Sequence, residues 1–181
     1  MNELGSWEEY IRWYLRNGLY LFKIVPFGKR PVAGSEWANT SEHKAQPSMS
    51  FHDAIDWINQ SGNIAIRLDH HVAFDIDAMP FKITGHQDYY RKFDTIVNFG
   101  SRGFHVLFDR SNIRDNKDLQ PTFESKYNLK LDHANGDVVH TGNAYIIVPP
   151  SRVKKDDGSI KSYFFLDDRR VMHDELKIGV L

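Results

Sequence analysis

At 181 residues, 41% hydrophobic and 13% aromatic, the chain has enough apolar material for one compact domain with a real core, which excludes a disordered tail. Its 23 basic and 24 acidic residues leave a net charge of −1, which excludes the global positive charge of a tight duplex binder; any phosphate-binding charge must be local or supplied by metal ions. The lack of cysteine excludes disulfides and thiolate zinc sites and fits a cytoplasmic protein; there is no run of about eighteen apolar residues for a membrane span, and Met1–Glu9 lacks the blocks of a signal peptide.

Trp7, Tyr10, Ile11, Tyr14 and Leu15 recur at helical spacing between Ser6, a candidate cap, and Gly18, predicting a first helix. A strand over Tyr20–Val25 follows, then the turn Pro26-Phe27-Gly28-Lys29-Arg30-Pro31. Residues 38–48 are polar and aperiodic and read as loop. Ser50 with Asp53 three residues on suggests a capping box opening a second helix, whose buried stripe is Phe51, Ala54, Ile55 and Ile58. From Asn63 the texture turns to strands. Ile64–Leu68 and Val72–Asp77, parted by Asp69-His70-His71, predict a hairpin. A second hairpin is expected from Thr95–Phe99 and Phe104–Phe108 around Gly100-Ser101-Arg102-Gly103. A third is expected from Val138–His140 and Ala144–Val148 around Thr141-Gly142-Asn143. Residues 110–135 are polar and give no clear element. Tyr163–Leu166 reads as a last strand and Asp168–Leu176 as a last helix. The pattern predicts an α+β domain with a mostly antiparallel sheet flanked by helices.

Three constellations can carry chemistry. In a strand, Asp75 and Asp77 project from one face while Phe74 and Ile76 face the core. Two adjacent carboxylates repel, and Mg²⁺ or Mn²⁺ resolves that conflict because hard cations take carboxylate oxygens. The plainer alternative is a solvated Asp-x-Asp turn. Second, Arg102 and His105 lie in Ser101-Arg102-Gly103-Phe104-His105, at the mouth of a predicted hairpin. There they can offer a guanidinium and an imidazole to a phosphate chain, with Gly103 permitting close backbone approach. A surface arginine beside a half-buried histidine is the competing reading. Third, Asp137 at the start of a strand can complete a three-carboxylate metal site, or simply cap a turn. Asp69-His70-His71 also spells the triplet of a phosphoesterase family, but the further aspartates of that family are missing from the chain.

In this order, from about Gly18 to Phe165, the motifs resemble the bifunctional primase-polymerase (prim-pol) domains of plasmid and phage replication proteins, members of the archaeo-eukaryotic primase superfamily. Leu19-Tyr20-Leu21-Phe22 with Gly28-Lys29-Arg30-Pro31 resembles the early strand and lysine-proline turn of that family. Phe74-Asp75-Ile76-Asp77 is similar to its paired acidic ligands, and Ser101–His105 to its nucleotide-phosphate motif. Gly136-Asp137 with Tyr145–Ser151 resembles its third motif, which ends in proline-proline-serine.

The resemblance implies a primase-like catalytic core with a sheet like that of RNA-recognition motifs, divided into a small N-terminal αβ lobe (1–62) and a metal-binding sheet lobe (63–181). It implies two divalent ions, Mg²⁺ or Mn²⁺, on Asp75, Asp77 and Asp137, and nucleotide contacts from Ser101, Arg102, His105 and Lys29. The implied activity is template-directed transfer from NTP or dNTP to a 3′-hydroxyl in DNA replication. The implied partners are single-stranded template and primer, and a helicase or primer-binding domain on the same or another chain. The chain departs from the family pattern in three places. Gly103 replaces the serine of many relatives, leaving Arg102 and Ser101 to make the phosphate contact. The Asp137–Tyr145 spacing is slightly long, which makes Asp132 a fallback ligand, and no cysteine-based zinc module is present. A non-catalytic nucleic-acid-binding module and a metal-dependent nuclease are the alternative functions.

Overall fold

The computed structural model describes residues 7–41, 44–77, 90–100, 102–166 and 177–181. Helix α1 (Trp7–Arg16) has Glu8 and Glu9 in its first turn and Arg16 in its last, matching the helix dipole at both ends. It buries Tyr10, Ile11, Trp13 and Tyr14. The expected stripe is thus shifted: Trp7 is 43% exposed and Trp13 fully buried. Trp13 and Tyr14 both pack on Phe165, and Tyr14 Oη donates to the Pro149 carbonyl at 2.8 Å, tying the helix to the sheet. Ser6, the expected cap, lies outside the described residues. In helix α2 (Phe51–Asn59) the Ser50 hydroxyl accepts from the Asp53 N–H at 3.1 Å and donates to the Asp53 carboxylate at 2.6 Å, as the sequence predicts. Ala54 and Ile58 are buried there, with Phe51 and Ile55 packed beside them.

The main sheet contains β1 (Tyr20–Ile24), β2 (Asn63–Ile76), β3 (Ile96–Phe99), β4 (Phe104–Asp109), β5 (Val138–Val148), and two short strands, β8 (Phe164–Phe165) and β9 (Gly179–Val180). All pairings are antiparallel except β4 with β9. A separate ribbon pairs β6 (Arg152–Lys154) with β7 (Ile160–Ser162). Strand β5 runs along one edge of β2 for its whole length. The other edge is shared, β1 taking residues 63–67 and β4 taking 71–76. The N-terminal strand therefore belongs to the same sheet as the later ones.

Two expected hairpins are not formed. The segments on either side of Asp69-His70-His71 are one strand, β2, and those around Thr141-Gly142-Asn143 are one strand, β5; the two pair with each other from Ile64↔Val148 to Asp75↔Val138. Both polar triplets fall where the register shifts, so they mark a bulge rather than turns. Polar side chains pair with one another and with the backbone there. Arg67 binds Asp69 at 2.5 and 2.8 Å, and the Thr141 hydroxyl donates to the His71 carbonyl at 2.8 Å. The β3–β4 hairpin and the strand near Tyr163–Leu166 form as expected. Helix α3 (Leu119–Tyr127), in the stretch where the sequence gives no clear element, buries only Leu119 and Phe123, too thin a stripe to read. The expected helix over Asp168–Leu176 lies outside the described residues.

Leu21, Ile64, Ile66, Leu68, Ala73, Leu107 and Ile146 pack with α1 and α2. On the far side of the β2–β4–β3 half, Val72, Phe74, Ile76, Phe104 and Phe108 pack with α3, where Phe74 and Phe123 stack at 3.8 Å. The fold is α+β with a mostly antiparallel sheet flanked by helices. No helix among the described residues is long and apolar enough to cross a membrane.

Candidate functional site

With Phe74 and Ile76 committed to the α3 core, alternation along β2 sends Asp75 to the opposite face at the end of a central strand. There it lies directly opposite His105 of β4 and Val138 of β5. Asp75 Oδ1 is 3.4 Å from His105 Nε2, and Oδ2 is 3.7 Å from Nε2 of His140, two residues beyond Val138 on the same face. His140 was not anticipated, because only the β2–β5 register reveals it. Burial pushes the Asp75 carboxyl up, but the two imidazoles outweigh it and hold the carboxyl well below the usual carboxylate range.

Behind His105 stands Asn98 of β3, fully buried. Its amide Nδ2 donates to the Ile147 carbonyl at 2.8 Å, which orients the amide, and faces His105 Nδ1 at 3.4 Å. An amide NH₂ only donates, so Nδ1 is the acceptor and the imidazole proton sits on Nε2, toward Asp75. Asn98 Oδ1 has no hydrogen-bond partner among the described residues, the cost of using the amide as a double donor. We expect ¹⁵N spectra of the neutral His105 ring to show the Nε2–H tautomer, and Asn98→Leu to give a tautomer mixture. An Nδ1–H tautomer in the unmodified protein would refute the assignment.

Asp77, just past the strand, is held in a tight cradle. A Cβ at Gly103 would overlap the Ile76 carbonyl oxygen and lie 2.6 Å from Asp77 Oδ1; one at Gly136, where φ is +105°, would lie 3.2 Å from Oδ2. Glycine at position 103 therefore has a steric reason: no side chain fits beside this carboxylate. Burial, and then the charge of Asp75, push the Asp77 carboxyl up against the opposing pull of Arg102, His105 and Lys29.

Asp137 is only 2% exposed. Its Oδ1 accepts from the Asp77 N–H at 2.9 Å and its Oδ2 from the Asp132 N–H at 2.7 Å, and it does not line the cavity between Asp75 and Asp77. It braces the backbone that carries Asp77. Asp132, the fallback, is exposed, and its Oδ2 accepts from Asn135 Nδ2 at 2.6 Å.

The structure gathers Asp75, Asp77, Arg102, His105 and Lys29 around one cavity of about 110 Å³, closed by Gly100, Gly103 and Tyr163. Ser101 lies outside the described residues. Lys29 is lowered by burial, then by the charge of Arg102, and raised in part by the two aspartates. Two larger spaces adjoin. One of about 350 Å³ has an apolar and aromatic wall of Trp37, Tyr145, Ile146 and Ile147 beside Asp75, His105 and His140. The other, of about 550 Å³, is basic and shares Lys29 and Arg102 with the small cavity.

Burial and, after it, the charge of Asp75 raise Asp77; a divalent cation between the two carboxylates would relieve the second of these, and hard oxygens suit Mg²⁺ or Mn²⁺. Among the described residues no group of three or more His, Cys, Asp or Glu side chains is arranged to hold a metal. No protein-family model matches the chain, and no curated protein matches it.

Proposed function

We propose that the chain is the catalytic core of a DNA primase-polymerase with an archaeo-eukaryotic primase-like fold, transferring nucleotides from NTP or dNTP to a 3′-hydroxyl on a single-stranded template. The observation that carries this is the meeting of two carboxylates with Lys29, Arg102 and His105 around one cavity. Phosphoryl transfer asks a protein for positioning and charge compensation more than covalent chemistry, and these are the groups it needs. Mg²⁺ or Mn²⁺ on Asp75 and Asp77 would neutralise phosphate oxygens and make the 3′-hydroxyl more acidic.

The residues divide the remaining work. Arg102 and Lys29, which line the cavity with the carboxylates, hold the triphosphate oxygens. His105, its ring set by Asn98, keeps Asp75 ionised and oriented. The 3′-oxygen bonds to the α-phosphorus as the bond to the β-phosphate bridging oxygen breaks; pyrophosphate leaves and the hydroxyl proton passes to solvent. The apolar wall of Trp37, Tyr145 and Ile147 gives the base and sugar a surface out of water.

A labelled primer annealed to a single-stranded template, incubated with Mg²⁺ or Mn²⁺ and each nucleotide class, tests the proposal on a denaturing gel. Lengthening of the primer is expected. Shortening would assign a nuclease instead, and DNA retention with no change in length under any condition would assign a non-catalytic binding module.

A further inference from the structure

The 550 Å³ space beyond the carboxylates is lined by Phe27, Gly28, Lys29, Arg102, Val153, Lys154, Lys155, Asp156 and Asp157, four basic side chains against two acidic ones. In a chain of net charge −1 this is a local concentration of positive charge. The wall formed by the 26–30 turn and the wall formed by the β6–β7 ribbon are locked together. Buried Asn63 donates through Nδ2 to the Gly28 carbonyl at 2.9 Å and to the Arg152 carbonyl at 2.7 Å, and its Oδ1 accepts from the Arg152 N–H at 2.9 Å. The Lys154 N–H donates to the Phe27 carbonyl at 3.0 Å, and the Arg152 guanidinium lies 5.4 Å from the Phe27 ring centre. The lysines are therefore mounted on a braced ribbon, not on a loose loop.

We propose that this cleft binds the phosphodiester backbone of a single-stranded DNA and leads it to the carboxylate cavity. The proposal rests on the nucleotidyl-transfer reading and adds its strand-binding surface. Phosphate oxyanions are the shared chemistry of a strand and of a free triphosphate, and two features favour the strand. The basic groups stand on separate walls, Lys29 and Arg102 at the mouth of the small cavity and Lys154 and Lys155 on the ribbon, as a run of phosphates requires. The cleft also contains an aromatic ring, Phe27, beside its basic groups, and grooves for single strands combine positive charge with aromatic surfaces. Asp157, exposed at the rim of the cleft, accepts from the Ser159 N–H at 2.8 Å within the ribbon's own turn.

The test is the binding of a fluorescent single-stranded DNA oligonucleotide and, separately, of ATP, both in EDTA across a range of NaCl. The proteins compared are wild type, Lys154→Ala/Lys155→Ala and Lys161→Ala; Lys161 is exposed on β7 and outside the cleft. The double variant should bind DNA several-fold more weakly, with the slope of log K against log salt shallower by about 0.7 for each phosphate that the lysines no longer neutralise. ATP binding, and DNA binding by Lys161→Ala, should not change. Because Lys154 is exposed and Lys155 half-buried, matching melting curves verify that the variant folds. Unchanged DNA affinity and slope, loss of ATP binding alone, or no DNA binding by the wild type would overturn the proposal. If the wild type extends primers while the double variant binds DNA normally, only the cleft assignment falls. If the wild type binds DNA through these lysines and never extends a primer, the cleft stands and the transfer reading falls.

Discussion

Asp75→Ala/Asp77→Ala is expected to lower divalent-dependent nucleotide incorporation by at least about 10³-fold, since removing even one preorganised hydrogen-bond donor from a reacting centre costs about 10²–10³ in rate and this variant removes both carboxylates proposed to hold the ion. The single variants should separate in stability without metal. The Asp75 carboxyl is held low by His105 and His140 against its own burial, so its charge supports the fold above the unfolded pKa, and that support fades as pH falls through the folded one. Asp75→Ala therefore destabilises at neutral pH. The Asp77 carboxyl is raised, by burial and then by Asp75, so its protonated form suits the fold; that contribution is complete below the unfolded pKa and is lost as pH rises through the folded pKa. At neutral pH Asp77→Ala should therefore leave metal-free stability unchanged or improved.

Manganese should remove that advantage of Asp77→Ala over wild type. At a hundredfold excess over Kd a bound ion adds about 2.7 kcal/mol of stability, and thermal melts with and without Mn²⁺ should show this gain in wild type but not in Asp77→Ala. Protons compete with the ion first at Asp77, so Mn²⁺ affinity should fall as pH drops through its raised pKa. A Mn²⁺-dependent gain that persists in the double variant, or incorporation retained by it, would sink the assignment.

Asp137→Ala should destabilise the fold by about 1–3 kcal/mol, because it strips the acceptor from the partly buried N–H groups of Asp77 and Asp132, and a donor left unsatisfied away from water costs about that much. Asp137→Asn should fall between, one of its two positions presenting an amide donor to a backbone donor. Urea denaturation in EDTA measures both. The alternative role, third metal ligand, makes the opposite prediction: near-normal metal-free stability with a large loss of Mn²⁺ affinity. The two roles are therefore separated by stability without metal and metal response, measured on the same protein.

Much of this was legible along the chain. Helix α2 was readable because its signals are local: Ser50 and Asp53 are one turn apart and Ala54 and Ile58 share a face. The β3–β4 hairpin was readable for the same reason, and with it the placing of Arg102 and His105 near a turn. Helix α3 was not, since Leu119 and Phe123 acquire meaning only against Phe74, far away in sequence. The β2–β5 ribbon was misread as two hairpins because a polar triplet that lies in a bulge has the same composition as one that makes a turn.

By itself, then, the sequence determined the α+β class, the face of β2 that carries Asp75, and the types of charged group available, consequences of composition and short-range periodicity. Only the tertiary structure decided which groups meet. It turned Asp137 toward the backbone of Asp77, 60 residues away. It brought His140 to Asp75 through the β5 register and set Asn98 behind His105. It also required glycine at 103, because the Ile76 carbonyl and the Asp77 carboxylate fill the space a side chain would need. A carboxylate or imidazole carries no local mark of what it will face, since its partner is chosen by strand pairing and packing across the whole chain.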